Sequence, residues 1–205
     1  MAEPLSGRVD PAEFRRLELR CHDFLRDAPL HDVWAVPLAG GGPDRTVEDV
    51  RVLFEEVVSG SAGPWVRALF ALRAVLGRVF RWDAAPAGAV ARESYVNRLG
   101  PAERAASLVP PGTRRGSFRV VYALRNEELL EIRNATVHAF LVFAMIERAT
   151  DPLLYLAIYV KPVGSITRFY MALIDPFRRF IIYPALLRAM QRAWARRYGK
   201  AGAAP

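Results

Sequence analysis

The segment that most constrains the fold lies near the C-terminus, where residues 165–200 read SITRFYMALIDPFRRFIIYPALLRAMQRAWARRYGK. Aromatic and aliphatic residues dominate it, but arginines interrupt every apolar run. A transmembrane helix needs roughly 20 consecutive apolar residues with few charges. The longest run without Asp, Glu, Lys or Arg anywhere in the chain, residues 134–146, is shorter than that. The sequence therefore predicts no transmembrane segment and favours amphipathic helices in this region.

The spacing predicts two consecutive helices, near residues 164–174 and 176–197. Asp175-Pro176 is typical of a helix start, with an N-cap followed by proline at the first helical position. Pro184 cannot donate a backbone hydrogen bond, which predicts a bend in the second helix rather than a break. Apolar residues recur at three- and four-residue steps and are expected to face the core, namely Phe169, Leu173, Phe177, Phe180, Ile181, Pro184, Leu187, Met190 and Trp194.

The other side of the second helix is predicted to be a basic surface, formed by Arg178, Arg188, Arg192 and Arg196. From Ser165 to Pro205 there are eight basic residues and one acidic residue, so this region supplies +7 of the net charge of +8. A solvated surface is the favoured interpretation, with nucleic acid or an anionic membrane surface as alternative partners. Arginine in place of lysine, with abundant alanine, glycine and proline, is typical of a GC-rich bacterial genome.

Upstream of this segment, strands and helices are separated clearly by their periodicity. Residues 31–38 (HDVWAVPL) predict a first strand, and Thr46 with Asp49 predicts a capped helix through about Val58. A second helix is predicted over residues 64–82. Residues 83–116 then form a long irregular connection, in which residues 93–97 predict a short strand.

The second half of the chain changes to a period of two, with short turns between apolar segments. Four strands are predicted in succession, over residues 118–124, 128–133, 135–147 and 153–161. Short turns imply adjacent antiparallel strands, so we predict a meander that the first strand joins. Both faces of the last two strands are apolar. The outer face is therefore expected to pack on an N-terminal helix near residues 11–26 or on a second subunit, which leaves a homodimer open.

These elements predict an N-terminal helical arm over residues 1–27, one domain over residues 28–198 and a flexible tail over residues 199–205. The polar N-terminus lacks the apolar stretch of a secretory signal, which predicts a cytoplasmic protein. Cys21 is the sole cysteine, so we expect no internal disulfide and no cysteine-based metal site. The histidine spacing matches no metal-binding motif, and no cofactor is predicted.

Three stretches carry a resemblance to a known superfamily, namely HDVWAVPLAGG, PWVRALFALRAVLGRVF and GSITRFYMALIDPFRRFIIYPALLR. With the strands between them, they resemble the START/polyketide-cyclase-like (SRPBCC) superfamily. More narrowly, they resemble a bacterial family of domains of unknown function within it, some members of which are fused to short-chain-dehydrogenase-like domains. The resemblance implies an α+β helix-grip fold, in which a curved antiparallel sheet wraps around a long bent C-terminal helix. It also implies a cavity between sheet and helix for an apolar or aromatic small molecule.

Candidate ligand-binding residues follow from that cavity. The residues expected to line it are Tyr122, His138, Phe140, Tyr155, Tyr159 and Tyr170. His138, in the most apolar strand, is the one weak catalytic candidate, since a cavity histidine can act as a general base. A histidine held by a backbone group or a carboxylate is the favoured alternative. Arg119 and Arg168 could anchor a carboxylate, but a solvated position is favoured for each. The strand-end carboxylates are Glu128, Glu131 and Glu147.

Three functions remain open at this point. The first is a protein that binds a small hydrophobic or aromatic molecule in the cavity. The second is an enzyme of the cyclase or dehydratase kind, which moves a proton with a cavity histidine or tyrosine. The third is a non-enzymatic interaction protein with a filled core, which binds an anionic partner through its basic helix. The sequence leaves catalysis itself undecided.

Overall fold

Seven strands form one curved, unclosed antiparallel sheet in a computed structural model that describes residues 7–40, 44–60, 94–133, 137–149, 151–162, 171–172 and 175–199. The strands are β1 (Gly7–Arg8), β2 (Leu30–Pro37), β3 (Arg114–Arg115), β4 (Phe118–Ala123), β5 (Glu127–Arg133), β6 (His138–Ile146) and β7 (Leu153–Lys161). Their order across the sheet is β1-β2-β7-β6-β5-β4-β3. The predicted meander is thus confirmed, with the first long strand pairing to the last.

The helices lie on both faces of this sheet. Those described are α1 (Pro11–Arg15), α2 (Arg20–Phe24), α3 (Val47–Gly60), a 3-10 helix (Tyr95–Arg98) and α4 (Pro101–Ala106). The C-terminal helix spans residues 175–198 and contains a π-helical segment (Arg178–Ile182) followed by α5 (Tyr183–Tyr198). The predicted fold class is confirmed, because this long helix packs against the curved sheet.

Two local predictions have different outcomes. The short strand predicted at residues 93–97 is wrong, because Tyr95–Arg98 forms a 3-10 helix that Ser94 caps by accepting from the Val96 amide. The helix predicted over residues 64–82 lies outside the described residues. The helix predicted over residues 164–174 does too, apart from the helical Met171 and Ala172.

One face of the sheet packs on α3 and the C-terminal helix. Trp194 is fully buried there, together with Leu187 and Met190, against apolar side chains of β2 and β7. The indole nitrogen of Trp194 donates to the Gly40 carbonyl oxygen at 3.2 Å. Gly40 has φ of +79°, and a Cβ atom there would lie 3.0 Å from Gly199 Cα. Glycine is therefore required where the chain after β2 meets the end of the helix.

The C-terminal helix passes through Pro184 without breaking, as predicted. In its first turns, however, the apolar side chains point away from the core instead of toward it. In the π-helical segment the Tyr183 amide donates to the Arg178 carbonyl oxygen, five residues earlier. This wider turn shifts the helical phase, so that Phe177, Phe180 and Ile181 are exposed. Their predicted place in the core is thus wrong.

The shift turns two arginines toward the sheet instead. Arg178, predicted on the basic surface, has only 12% of its side chain exposed and contacts Asp175 and the Tyr183 hydroxyl. Arg179 Nε lies 3.0 Å from a carboxylate oxygen of the buried Asp32. The predicted basic surface is therefore corrected to the exposed Arg188, Arg192 and Arg196.

The N-terminal segment, which contains α1 and α2, covers the other face of the sheet. This confirms the expectation that an N-terminal helix packs on the apolar outer face of the last two strands. Phe14, Leu19, Cys21 and Leu25 are buried there against side chains of β4 to β7. A buried glutamate of β5, Glu127, accepts hydrogen bonds from the Arg20 and Cys21 amides at 2.8 Å each. The segment is thus attached to the sheet by hydrogen bonds as well as by apolar contacts.

Candidate functional site

The aromatic residues predicted to bind a ligand lie on the face covered by the N-terminal segment. Tyr122, Phe140, Tyr155 and Tyr159 belong to that core and not to the one beneath the C-terminal helix. Their predicted placement between sheet and C-terminal helix is therefore wrong. Because β6 and β7 are apolar on both faces, the alternation of residues cannot tell which face the helix covers. Tyr170 lies outside the described residues.

The three candidate tyrosines that the structure describes bond to protein groups. The hydroxyl of Tyr122 donates to Glu127 at 2.6 Å, and that of Tyr155 donates to Glu13 at 2.9 Å. The hydroxyl of Tyr159 lies 3.4 Å from Nδ1 of His22. Burial, more than any other effect, raises the pKa of all three phenols. They are therefore neutral, and their partners are those of a packed core.

His138 and Glu131 form a buried pair diagonally across the β5–β6 ladder. Nε2 of His138 lies 2.6 Å from Oε1 of Glu131, and their side chains are only 3% and 4% exposed. The same carboxyl group accepts from Ser94 Oγ at 2.5 Å and from the Tyr95 amide at 3.1 Å. His138 is thus held by a carboxylate, as in the favoured alternative to a catalytic role.

The charge state of Glu131 follows from these partners. Burial by itself raises its pKa, but hydrogen bonds from His138, Ser94 and the Tyr95 amide outweigh burial and hold the pKa below its usual value. The carboxylate is ionised at neutral pH. Because an ionised carboxylate only accepts hydrogen bonds, Nε2 of His138 is the donor. Both carboxylate oxygens are therefore already occupied.

A second layer of polar groups surrounds this pair on its outer side. The Tyr95 hydroxyl donates to Asp27 at 2.8 Å, and Arg98 binds the same carboxylate through two hydrogen bonds of 2.8 Å. Lys161 Nζ lies 2.7 Å from Asp27. Hydrogen bonds from Arg98 above all, and from Lys161 and Tyr95, hold the pKa of Asp27 well below its usual range. The ring of Tyr95 stands edge-on to His138, with centroids 5.2 Å apart, and joins the two layers.

A cavity of about 200 Å³ opens beside Glu131, near the β3 edge of the sheet. We call it the arginine cavity; among the residues that line it are Ser94, Arg114, Phe118, Arg119, Glu131 and Arg133. Pockets for drug-sized ligands measure roughly 300–1,000 Å³, so this volume suits a smaller molecule. Ser94 and Glu131 connect the cavity to His138.

Two arginines of the cavity are paired across neighbouring strands. Arg114 on β3 lies opposite Arg119 on β4, and Arg119 lies opposite Glu131 on β5. Like charges placed directly opposite on a sheet destabilise it. Within the described part of the chain, neither Arg114 nor Arg119 forms an ion pair with a carboxylate. Glu131 cannot neutralise them fully, because one carboxylate charge faces two guanidinium charges. The cavity is therefore electropositive.

Sequence reasoning missed most of this site. Glu131 is buried, which corrects the expectation of a strand-end carboxylate, and Arg119 lines a cavity, where a solvated position was favoured. Ser94 lay in a segment predicted as a strand. One signal was available, since period two places Glu127, Glu131 and Arg133 of β5 on one face. The partners of Glu131, Ser94 and Tyr95, belong to a segment that is distant in sequence, and no local pattern connects that segment to β5.

Breaking the buried pair should be costly. His138→Leu is expected to lower the free energy of unfolding by about 3–5 kcal/mol at neutral pH, because Glu131 is left as a buried charge without its partner. The Glu131 pKa is lowered below 4.5, so its contribution is complete above that pH and is lost as pH falls. Urea unfolding would measure both effects. His138→Leu/Glu131→Gln should recover part of the loss, and no recovery would contradict the assignment of the charge to Glu131.

The comparisons with known proteins give one family. The family model described as "Protein of unknown function (DUF2867)" matches residues 24–185. Neither the curated proteins nor the solved structures yielded a match to this chain. The matched range includes β2 to β7, the arginine cavity and the first part of the C-terminal helix. Among the helices described, none is long and apolar enough to cross a membrane.

Proposed function

We propose, for a chain that belongs to the DUF2867 family of proteins of unknown function, that the arginine cavity binds a small anionic molecule. One observation carries this proposal, namely the cross-strand pair of Arg114 and Arg119 at a cavity wall without a carboxylate partner among the described residues. A bound carboxylate or phosphate would relieve that repulsion, because both guanidinium groups could donate charge-assisted hydrogen bonds to it. Guanidinium groups bind such anions in a bidentate manner.

The groups around the arginines would orient the bound ligand. The Ser94 hydroxyl donates to Glu131, and its oxygen can accept a hydrogen bond from a polar group of the ligand. Phe118 also lines the cavity, but its side chain packs against the core beneath the C-terminal helix. A small organic acid, with its anionic end at Arg114 and Arg119 and a polar group near Ser94, fits this arrangement best.

The sequence-based hypothesis of an apolar ligand between sheet and C-terminal helix has less support. Trp34, Leu156, Leu187, Met190 and Trp194 pack together there as one buried cluster. The assignment to the START-like superfamily stays a prediction with which the curved sheet and long helix are compatible. Both hypotheses describe a protein that binds a small molecule. In our proposal, however, the ligand binds at the arginine cavity and not between the sheet and the C-terminal helix.

Binding is better supported than catalysis. A general base needs a lone pair directed at a substrate, whereas Glu131 already accepts three hydrogen bonds and His138 Nε2 donates one of them. These groups hold the cavity wall in one arrangement. A cyclase or dehydratase activity through His138 or a tyrosine therefore remains the second hypothesis.

Ligand binding can be tested by thermal shift with pairs of small acids and their neutral amides, for example benzoate with benzamide. Acids of the right size should raise the melting temperature of the wild type, because a ligand that binds only the folded state stabilises it. Arg119→Ala should weaken binding by about tenfold or more, since a hydrogen bond to a charged group contributes about 1.5–3 kcal/mol. Without ligand, the same variant should change stability little, because it relieves the repulsion with Arg114 but also removes the positive charge opposite Glu131.

Two outcomes would count against this proposal. Arg125→Ala, at an exposed turn outside the cavity, is the matched control and should leave the ligand-induced shift unchanged. Equal shifts with acids and amides would show that charge does not matter. A clear loss of stability in ligand-free Arg119→Ala would show that Arg119 has a structural role.

A further inference from the structure

Three large apolar side chains of the C-terminal helix are exposed to solvent. Phe180 is 81% exposed, Ile181 is 44% exposed and Phe177 is 41% exposed. Scattered exposed apolar residues are normal, but a cluster within one or two helical turns marks an interaction surface. The π-helical segment directs these side chains outward, while Tyr183, Leu187 and Trp194 of the same helix stay in the core. The cluster is therefore available without any unfolding of the helix.

Three exposed arginines continue this surface toward the C-terminus. Arg188, Arg192 and Arg196 follow Ile181 at steps of seven, four and four residues, which places all four on one side of the helix. Arg188 Nε donates to the Pro184 carbonyl oxygen of its own helix at 3.0 Å. In the described part of the chain none of the three forms an ion pair, whereas Arg179 and Arg197 pair with Asp32 and Glu56. We call these six exposed residues the stripe: Phe177, Phe180, Ile181, Arg188, Arg192 and Arg196.

We propose that the stripe docks on an anionic lipid bilayer surface. An interfacial helix of this kind places aromatic and aliphatic residues among the lipid acyl chains and arginines at the phosphate level. Each basic residue near an anionic surface adds attraction, and nothing in the stripe is acidic. The helix would dock as part of the folded domain, since its opposite side is held in the core by Leu187, Met190 and Trp194.

The composition of the stripe favours lipid over a nucleic acid. A duplex would contact the arginines through its phosphates but would leave Phe180 and Ile181 in water. A bilayer interface accommodates both halves of the stripe at once. This inference is independent of the arginine cavity, because the stripe belongs to the helix on the other face of the sheet.

Co-sedimentation of the full chain with vesicles tests the proposal. One set contains one part phosphatidylglycerol to two parts phosphatidylcholine, and the other contains phosphatidylcholine alone. We expect binding to the first set, weaker binding at high salt because screening reduces the attraction, and little binding to the second set. Phe180→Ser should reduce partitioning by about tenfold, since it removes an exposed aromatic side chain that would enter the bilayer. Arg192→Ala should reduce it by about fivefold.

Two exposed residues away from the stripe supply matched controls. Leu108→Ser removes another exposed apolar side chain, 67% exposed, and Arg16→Ala removes an exposed arginine from the opposite face. Both variants should bind vesicles like the wild type. Circular dichroism melts would verify that all four variants are folded.

Other outcomes would overturn the proposal. Equal binding to both vesicle sets, or no binding at low salt, would exclude anionic lipid as the occupant. A wild-type dimer in size-exclusion chromatography that Phe180→Ser converts to a monomer, without vesicle binding, would assign the stripe to a second copy of this chain. Arginine-dependent binding to a DNA duplex that Phe180→Ser leaves unchanged, again without vesicle binding, would assign it to nucleic acid.

Discussion

Glu127→Ala is expected to lower the free energy of unfolding by about 3–5 kcal/mol. The Glu127 carboxyl accepts from the Arg20 amide, the Cys21 amide and the Tyr122 hydroxyl, at 2.8, 2.8 and 2.6 Å. Glu127, Cys21 and Tyr122 are all at most 2% exposed. Each buried donor left without an acceptor costs about 1–3 kcal/mol. Urea unfolding of the wild type and the variant would measure the difference.

Cys21 supplies a second, local readout of the same substitution. Its thiol is fully buried, and burial raises its pKa, so a thiol reagent should react slowly with the wild type. Glu127→Ala should speed that reaction, because the N-terminal segment loses its attachment to β5. Glu127→Gln keeps one carbonyl acceptor and should lie between the two. The exposed Glu147→Ala is the matched control, and equal Cys21 reactivity in all four proteins would contradict this account of the attachment.

Much of the fold could be predicted because its elements have a clear period. The alternation in β4 and the short turns that follow it indicate an antiparallel meander, and the three- and four-residue steps indicate the C-terminal helix. The apolar outer face of β6 and β7 required a cover, and α1 and α2 provide it. These predictions depend only on local periodicity and on the need to bury apolar surface.

Local periodicity could not predict on which face of the sheet, or on which side of the helix, an individual side chain lies. In β7, eight consecutive residues from Leu153 to Val160 are buried, so no polar position distinguishes the two faces. The phase of the C-terminal helix depends on a π-helical turn at Arg178–Ile182. Contacts distant in sequence accompany that turn, such as Arg179 with Asp32, and a helical pattern contains no sign of them.

The candidate site was hidden for a related reason. Strand β5 reads EELLEIR, and its glutamates look like the polar positions of a half-exposed strand. In the structure Glu127, Glu128 and Glu131 are all buried. Two of them bind partners on the N-terminal side of the sheet, where Glu127 binds the backbone of α2 and Glu131 binds His138 and Ser94. Such partners follow from the tertiary fold alone.

Glu128 is the exception among these three glutamates. It faces α3 with no part of its side chain exposed, and neither carboxyl oxygen accepts a hydrogen bond from the described residues. Arg115 Nη1 lies 3.1 Å from Oε1, but not in hydrogen-bonding geometry. Burial raises the pKa of Glu128 to about 8; Arg51 partly opposes this, whereas Glu48 and Glu55 add to it. The group is therefore mostly neutral at pH 7.

Glu128→Gln is consequently expected to stabilise the protein at alkaline pH and to change little in acid. Between pH 4.5 and about 8 the unfolded chain ionises this carboxyl while the folded protein keeps the proton, so wild-type stability falls as pH rises through that window. At 1.36 kcal/mol per pKa unit, the variant should gain on the order of 5 kcal/mol above pH 8. Urea unfolding at several pH values would measure it.

The matched control for that experiment is Glu147→Gln, because Glu147 is exposed at the end of β6. Its stability should follow the wild type across the whole pH range, which separates the effect of burial from the loss of one negative charge. A Glu128→Gln variant that is less stable than the wild type at every pH would mean that Arg115 needs an ionised partner. In that case the carboxylate would be retained to balance Arg115, whose side chain is only 12% exposed. The gain above pH 8 would instead identify Glu128 as a carboxyl group that the fold keeps at a cost in stability, a property typical of residues retained for function.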